Sequence, residues 1–228
     1  MKKIPRCFAV AVPLCLIFAL GAAAAGLAGK LVEASSNGDV AAVRSLIRSG
    51  AQVNARTGDG MTALMVAAMT GHADVARVLL EKGADVNARD RNGSTALMAA
   101  VMVGQADVAR VLIDKGANIN ARDTTGGSAL LTAALSGSTE VTLLLIGKGA
   151  DVNVKGDGGL TALICAASIA NVDMVRALVK NGADVNARTA SGVMALSRAE
   201  EREQGLDDQE RVGRKEEIAR ILKEAGAR

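Results

Sequence analysis

The chain repeats with a fixed period of 33 residues. A constant period of this length is typical of supersecondary units that stack and bury their apolar faces against one another. The sequence therefore predicts one elongated array, an architecture that usually serves as a scaffold for binding. The string Gly-Ala-x-(Val/Ile)-Asn begins at Gly50, Gly83, Gly116, Gly149 and Gly182. The string Thr/Ser-Ala-Leu begins at Thr62, Thr95, Ser128 and Thr161, with Met194-Ala195-Leu196 at the next interval.

Each period predicts two helices. In one unit, Thr62 is a predicted N-cap, and the short apolar run that follows it predicts an inner helix. We expect Gly71 to end this helix. Residues 74–82 place apolar side chains at helical spacing and predict an outer helix with one apolar face. Gly83 is expected to end the outer helix, and Asn-Gly, Asp-Gly and Gly-Gly pairs between units predict tight turns.

This pattern resembles the ankyrin repeat, whose motif contains Thr-Pro-Leu-His, Ala-Ala, Gly-His, Val-Leu-Leu and Gly-Ala-Asp-Val-Asn. The resemblance covers about residues 30–228. It implies an all-α ankyrin-repeat solenoid of about six 33-residue helix-turn-helix units with β-turn fingers. Alanine replaces the family's Pro, and the family's His, which makes hydrogen bonds between neighbouring repeats, is also replaced. We expect apolar packing by the residues now in that column: Met65, Met98, Leu131 and Ile164.

The unit boundaries follow from the period. We predict an N-terminal capping repeat at residues 30–57, four full repeats at 58–189 and a C-terminal capping repeat at 190–228. Gly226-Ala227 comes about eleven residues later than the period predicts, which places an insertion near residues 200–214. We expect this insertion to extend the final inner helix and then form a loop at 205–208, with the last outer helix at Lys215–Ala225.

Residues 1–25 predict a signal peptide. The basic residues Lys2, Lys3 and Arg6 precede the apolar stretch 7–20, and residues 21–25 are small enough for cleavage by a signal peptidase. An uncleaved membrane anchor stays open as an alternative, because no charge lies between residues 7 and 28, which is long enough to span a bilayer.

Charge and chemistry exclude several classes of function. Without the three basic leader residues, 24 basic residues balance 24 acidic ones, so nucleic-acid binding is not predicted. His72 is the only histidine, and cleavage of the leader would leave Cys165 as the only cysteine. Cys165 is expected to be a small buried residue. We therefore predict no catalytic set, no metal site, no cofactor and no enzymatic activity.

Two sets of residues are candidates for contact with a partner. One follows Asn-Ala in each unit and is here called the basic ladder: Arg56, Arg89, Arg122, Lys155 and Arg188. It begins the turn fingers at residues 56–61, 89–94, 122–127, 155–160 and 188–193, and Arg91 in the second finger is a further candidate. Either the ladder binds an anionic strip, or nearby acidic residues such as Asp90 and Asp123 neutralise it locally.

The second set lies at the ends of the predicted inner helices and is here called the apolar strip: Met69, Met102, Val103, Leu135 and Ile169. Methionine surfaces adapt to varied partners. The alternative interpretation is that these residues only pack against neighbouring units.

The resemblance implies a non-catalytic protein that binds another protein through a concave side formed by the turn fingers and inner helices. Together with the leader, it suggests an exported, periplasmic protein of the bacterial type, which we expect to be a monomer. Two main alternatives remain open, besides that of an effector delivered to a host cell. One is a scaffold anchored to the inner membrane by an uncleaved leader, the only case in which we expect contact with a membrane. The other is an accessory or inhibitory subunit of an envelope enzyme.

Overall fold

The structure is a computed structural model that describes residues 26–201 and 209–228. Within these two ranges, twelve α-helices form successive pairs of one inner and one outer helix, so the predicted all-α repeat solenoid is confirmed. The inner helices are α1 Leu27–Ser36, α3 Ala63–Thr70, α5 Ala96–Met102, α7 Ala129–Ser136, α9 Ala162–Ser168 and α11 Ala195–Glu200. The outer helices are α2 Val40–Arg48, α4 Ala73–Glu81, α6 Ala106–Asp114, α8 Thr139–Gly147, α10 Val172–Lys180 and α12 Gln209–Glu224.

The turn fingers precede the inner helices. Across residues 26–201 and 209–228 they form no β-strand, only the isolated bridges Arg56–Thr62 and Arg122–Ser128. The fourth finger contains a short 3₁₀ turn at Asp157–Gly159.

Buried hydroxyl groups begin four inner helices, as the repeated Thr/Ser-Ala-Leu string predicts. Thr62 accepts a hydrogen bond from the amide of Met65 at 3.3 Å, and Ser128 accepts one from the amide of Leu131 at 3.2 Å. The same contact is made by Thr95 and Thr161. An N-cap of this kind satisfies an amide that has no partner within the helix. The string therefore fixes where each inner helix begins.

Gly71 separates an inner helix from its outer helix. Its backbone has φ +80, a conformation that residues other than glycine rarely adopt. A β-carbon at this position would lie 2.7 Å from the side chain of Gln105 in the next unit. Gly71 therefore serves both the turn and the close approach of the neighbouring repeat.

Each unit buries its apolar side chains against the next. The inner helices α3, α5, α7 and α9 pack on one another in order, and the outer helices do the same. Apolar residues stand at the position where the family has His. All four are buried, at most 5% exposed: Met65, Met98, Leu131 and Ile164. The expectation that apolar packing occupies this column is confirmed.

The asparagine of the Gly-Ala-x-(Val/Ile)-Asn string links neighbouring units. Asn87 donates from Nδ2 to the carbonyl of Gly116 at 3.2 Å and accepts from the amide of Asn118 at 2.7 Å. Asn54, Asn120, Asn153 and Asn186 make the equivalent pair of bonds. This string thus specifies contact between units as well as the turn after each outer helix.

The last unit keeps this linkage but changes its outer helix. Asn186 bonds to the carbonyl of Gly226, 40 residues away, whereas Asn153 bonds to Gly182, 29 residues away. The predicted extension of the final inner helix is wrong, because α11 ends at Glu200. The outer helix α12 has 16 residues in place of nine and begins before the predicted Lys215. Its first turns are charged and readily solvated. The predicted loop at 205–208 lies outside the described residues.

Candidate binding surface

Three arginines of the basic ladder are committed to the stacking of the turn fingers. The guanidinium groups of Arg56, Arg89 and Arg122 each donate to the backbone carbonyl of the next ladder residue. Arg56 also bonds within its own finger to the carbonyl of Gly60 at 3.0 Å, and Arg122 bonds likewise to that of Gly126 at 3.2 Å. These contacts favour a structural role for this part of the ladder, although the side chains are exposed.

The other two residues of the basic ladder, and Arg91, differ from these arginines. Lys155 and Arg188 are exposed, and no side-chain hydrogen bond or ion pair to another residue of 26–201 or 209–228 is found for either. Arg91 lies 3.8 Å from Asp59 with side chains 72% and 75% exposed. An ion pair so exposed contributes little to stability. If cations contact a partner, these three are the ones whose side chains are available.

The structural role of the ladder predicts unequal effects of truncation along it. We expect Arg122→Ala to lower the free energy of unfolding by about 1 kcal/mol, because it removes charged hydrogen bonds in an exposed setting. The matched change Lys155→Ala should stay within about 0.5 kcal/mol of wild type. Urea unfolding followed by circular dichroism measures both. Equal losses in the two variants would contradict the assignment.

Acidic residues order the fingers from within. Asp90 accepts from the amides of Asn92 and Ser94, both at 2.8 Å. Asp123 accepts from the Thr125 hydroxyl at 2.7 Å and from the Gly127 amide at 2.8 Å. Burial raises the pKa of Asp123, but hydrogen bonds from Thr125 and Gly127 and the charge of Arg89 outweigh burial and hold this pKa below its ordinary 3.8.

This lowered pKa predicts a loss of stability in acid. A carboxyl group whose pKa is lowered by folding stabilises the fold above its ordinary pKa, and this contribution disappears as the pH falls through the folded value. Between about pH 5 and about pH 2, wild type should therefore lose more unfolding free energy than Asp123→Asn. The control Asp157→Asn, at an exposed finger position, should follow wild type. Urea titrations at several pH values measure the free energy of unfolding of each variant. If this free energy falls equally with pH in wild type and Asp123→Asn, the prediction is refuted.

Most of the apolar strip is open to solvent. Met102 is 42% exposed, Val103 45%, Leu135 49% and Ile169 40%. Met69, in the preceding inner helix, is half-buried. The strip residues of three consecutive units are thus exposed at the ends of α5, α7 and α9. Packing against neighbouring units does not cover them.

The inner helices around the strip carry no charge. None of α3, α5, α7 and α9 contains Asp, Glu, Lys or Arg. In contrast, α1 contains Lys30 and Glu33, and α11 contains Arg198 and Glu200. The middle of the inner-helix surface is therefore apolar and neutral, between charged first and last units.

The lone histidine and the cysteine outside the leader occupy structural positions. His72 is the N-cap residue of α4, and its Nε2 lies 3.0 Å from the carbonyl oxygen of Ser36 in the preceding unit. Cys165 is 5% exposed within α9, as expected for a small buried residue. In the part of the chain that the structure describes, no group of three or more His, Cys, Asp and Glu side chains is positioned to hold a metal ion.

Comparison with known families agrees with the geometry of the helix pairs. The family model for ankyrin repeats, which contains three copies, matches residues 31–123 and 118–189. The chain belongs to the ankyrin-repeat family. Ankyrin repeats are generally protein-protein interaction modules, and proteins built from them are typically non-catalytic binding scaffolds. No curated protein sequence matches this ankyrin-repeat chain significantly.

Two features of the ankyrin-repeat surface were not anticipated from the sequence. One is the bonding of ladder arginines to the next finger, which only the stacking geometry reveals. The other is Leu143, which is 44% exposed on α8. The equivalent position carries arginine in the other outer helices from α2 to α10, at Arg44, Arg77, Arg110 and Arg176. A comparison of the columns of the repeat would have found Leu143.

Proposed function

We propose that this chain is an exported, non-catalytic ankyrin-repeat protein that binds another protein through its concave side. The single observation that carries the proposal is the exposed apolar strip on inner helices that lack any charge. Exposed apolar residues grouped together on a folded surface commonly mark an interaction site. Because the strip belongs to packed helices, it is ordered before binding, and little conformational entropy is lost on association.

The magnitude of the apolar contribution suggests that the strip does not act alone. Full burial of one such side chain from water contributes roughly 1.5–3 kcal/mol, and these side chains are already about half covered. From their own burial alone, Met102, Val103, Leu135 and Ile169 would together contribute roughly 4 kcal/mol, which corresponds to about millimolar affinity before the partner's apolar side chains are counted. In this proposal the exposed finger residues, including Arg91, Lys155 and Arg188, supply further contacts to other parts of the partner, outside the segment that lies on the strip.

Export to the periplasm is the second part of the proposal, and the leader supports it. Residues 1–25 combine basic residues, an apolar stretch and small residues in the order of a signal peptide. They lie outside the described residues. We expect the mature protein to be a monomer.

A membrane-tethered scaffold, or an accessory or inhibitory subunit of an envelope enzyme, is the second candidate. The uncharged stretch from residue 7 to residue 28 favours tethering. None of the described helices is long and apolar enough to cross a membrane. The mass of the protein isolated from its native envelope discriminates: a chain that begins near residue 25 supports cleavage, and a full-length chain supports tethering.

The binding surface can be tested by chemical crosslinking and capture from the native envelope. We would compare wild type with Leu135→Gln/Ile169→Gln and with Lys155→Gln/Arg188→Gln. All four positions are exposed, so the variants should fold. The proposal predicts that the strip variant captures at least about tenfold less of the partner, since two apolar anchors are worth more than 1.4 kcal/mol. Undiminished capture by the strip variant would refute the concave strip as the contact.

A further inference from the structure

The exposed apolar side chains are concentrated in one place. Four of the seven large hydrophobic residues exposed in the described ranges belong to the apolar strip. They lie at the C-terminal ends of α5, α7 and α9, and each of these inner helices packs on the next. Ile169 reaches back over the preceding unit, since its Cδ1 lies 3.6 Å from where a β-carbon would stand on Gly137. The strip therefore spans three consecutive units, and Ile169 covers part of the surface between the last two of them.

The hydroxyl groups beside the strip are already occupied as donors. Thr70 donates to the carbonyl of Val66 at 2.9 Å. In the same way, Ser136 donates to Ala133 at 3.1 Å, and Ser168 donates to Ile164 at 2.8 Å. An extended segment laid on the strip would find few donors for its own carbonyls, and an unsatisfied buried carbonyl is costly. A helix satisfies its backbone internally and avoids this cost.

The spacing of the units suits a helix that runs across them. Packed helices lie about 8–10 Å apart, so strip residues in successive units are separated by a similar distance. An α-helix rises about 1.5 Å per residue, and seven residues therefore advance about 10.5 Å while returning to nearly the same face. Apolar residues seven positions apart on one helix can thus reach the strip residues of α5, α7 and α9 in turn.

We propose that the apolar strip binds an amphipathic helix of the partner protein, laid across α5, α7 and α9 with an apolar residue at every seventh position. This inference rests on the proposed function and names the chemistry of its partner. Because the four middle inner helices carry no charge, the helix meets the strip without ion pairs. Its affinity therefore changes little with salt concentration, unlike an acidic segment bound by Lys155 and Arg188.

A display library of random 20-residue peptides, panned against the full chain, tests the proposal even though the partner is unidentified. We expect the enriched peptides to be helix-forming, with apolar residues seven positions apart. Their affinity, measured by fluorescence anisotropy, should change less than about twofold between 50 mM and 500 mM salt. Leu135→Gln/Ile169→Gln should weaken it at least about tenfold. The control is Leu143→Gln, which changes a similarly exposed leucine on the outer helix α8. It should leave the affinity for the peptides unchanged.

Three results would overturn the proposal: no enrichment, enrichment of acidic or proline-rich extended peptides, or equal loss of affinity in the Leu143 variant. Failure here is distinguishable from failure of the proposed function. If the partner is captured from the envelope in a strip-dependent way but the library gives extended peptides, protein binding stands and the helical partner does not.

Discussion

Replacing Leu112 with alanine is expected to lower the free energy of unfolding by about 3 kcal/mol. Leu112 is fully buried on α6, which packs between the outer helices α4 and α8. The substitution leaves a cavity between units that contact only their neighbours, and in a solenoid the interfaces between units hold the array together. A defect in a middle unit therefore weakens two interfaces at once.

The matched control for this prediction is Leu46→Ala. Leu46 occupies the equivalent position in α2 but is only half-buried, in the first unit of the array. We expect Leu46→Ala to lower the free energy of unfolding by about 1 kcal/mol, because less apolar area is lost and one interface is affected. Urea unfolding monitored by circular dichroism measures both values. If Leu46→Ala were as costly as Leu112→Ala, burial between middle units would not determine stability.

Replacing Gly93 with alanine is the other change with a large expected effect, about 2–3 kcal/mol of destabilisation. Gly93 has φ +75, where a side chain is strained. A β-carbon there would also lie 3.2 Å from the backbone nitrogen of Thr124 in the next finger. The third finger would have to move, which disturbs the 2.9 Å hydrogen bond that the Thr124 amide donates to the carbonyl of Asn92.

Gly192→Ala separates the two causes. Gly192 holds the equivalent position in the last finger with φ +80, but a β-carbon there would meet nothing within 4 Å. We expect Gly192→Ala to lower the free energy of unfolding by about 1 kcal/mol, from backbone strain alone. The difference between the two variants, read from the same thermal or urea unfolding experiment, is the contribution of close finger stacking. A difference near zero would show that the fingers do not constrain one another.

The period made most of the fold predictable. Local sequence alone predicts that Thr62 caps a helix and that Gly71 lies in a turn. Because the strings recur at equal intervals, the same prediction applies to the equivalent residues of each unit. The burial of Met65 and its equivalents was also predictable, because their column is apolar in every full unit. The final outer helix was not, because the insertion breaks the period there. Without the period, the charged sequence at the start of α12 carries little signal for helix or loop.

The candidate surface was predictable only in part. Position in the repeat placed Met102, Leu135 and Ile169 at helix ends, but their exposure depends on how neighbouring units pack. The basic ladder could not be interpreted from spacing alone. An arginine on a turn is equally consistent with a contact for an anion and with a donor to the next backbone, and only the stacked structure showed that Arg89 donates to the following finger.

The most direct measurement of where a partner binds is site-specific photo-crosslinking in the native cell. A photoreactive amino acid would replace Leu135 in one variant and Leu143 in another, since the two leucines are similarly exposed on opposite helices of one unit. Binding through the concave side predicts a crosslinked partner protein at position 135 and none at position 143. A partner crosslinked at position 143 but not at 135 would contradict it.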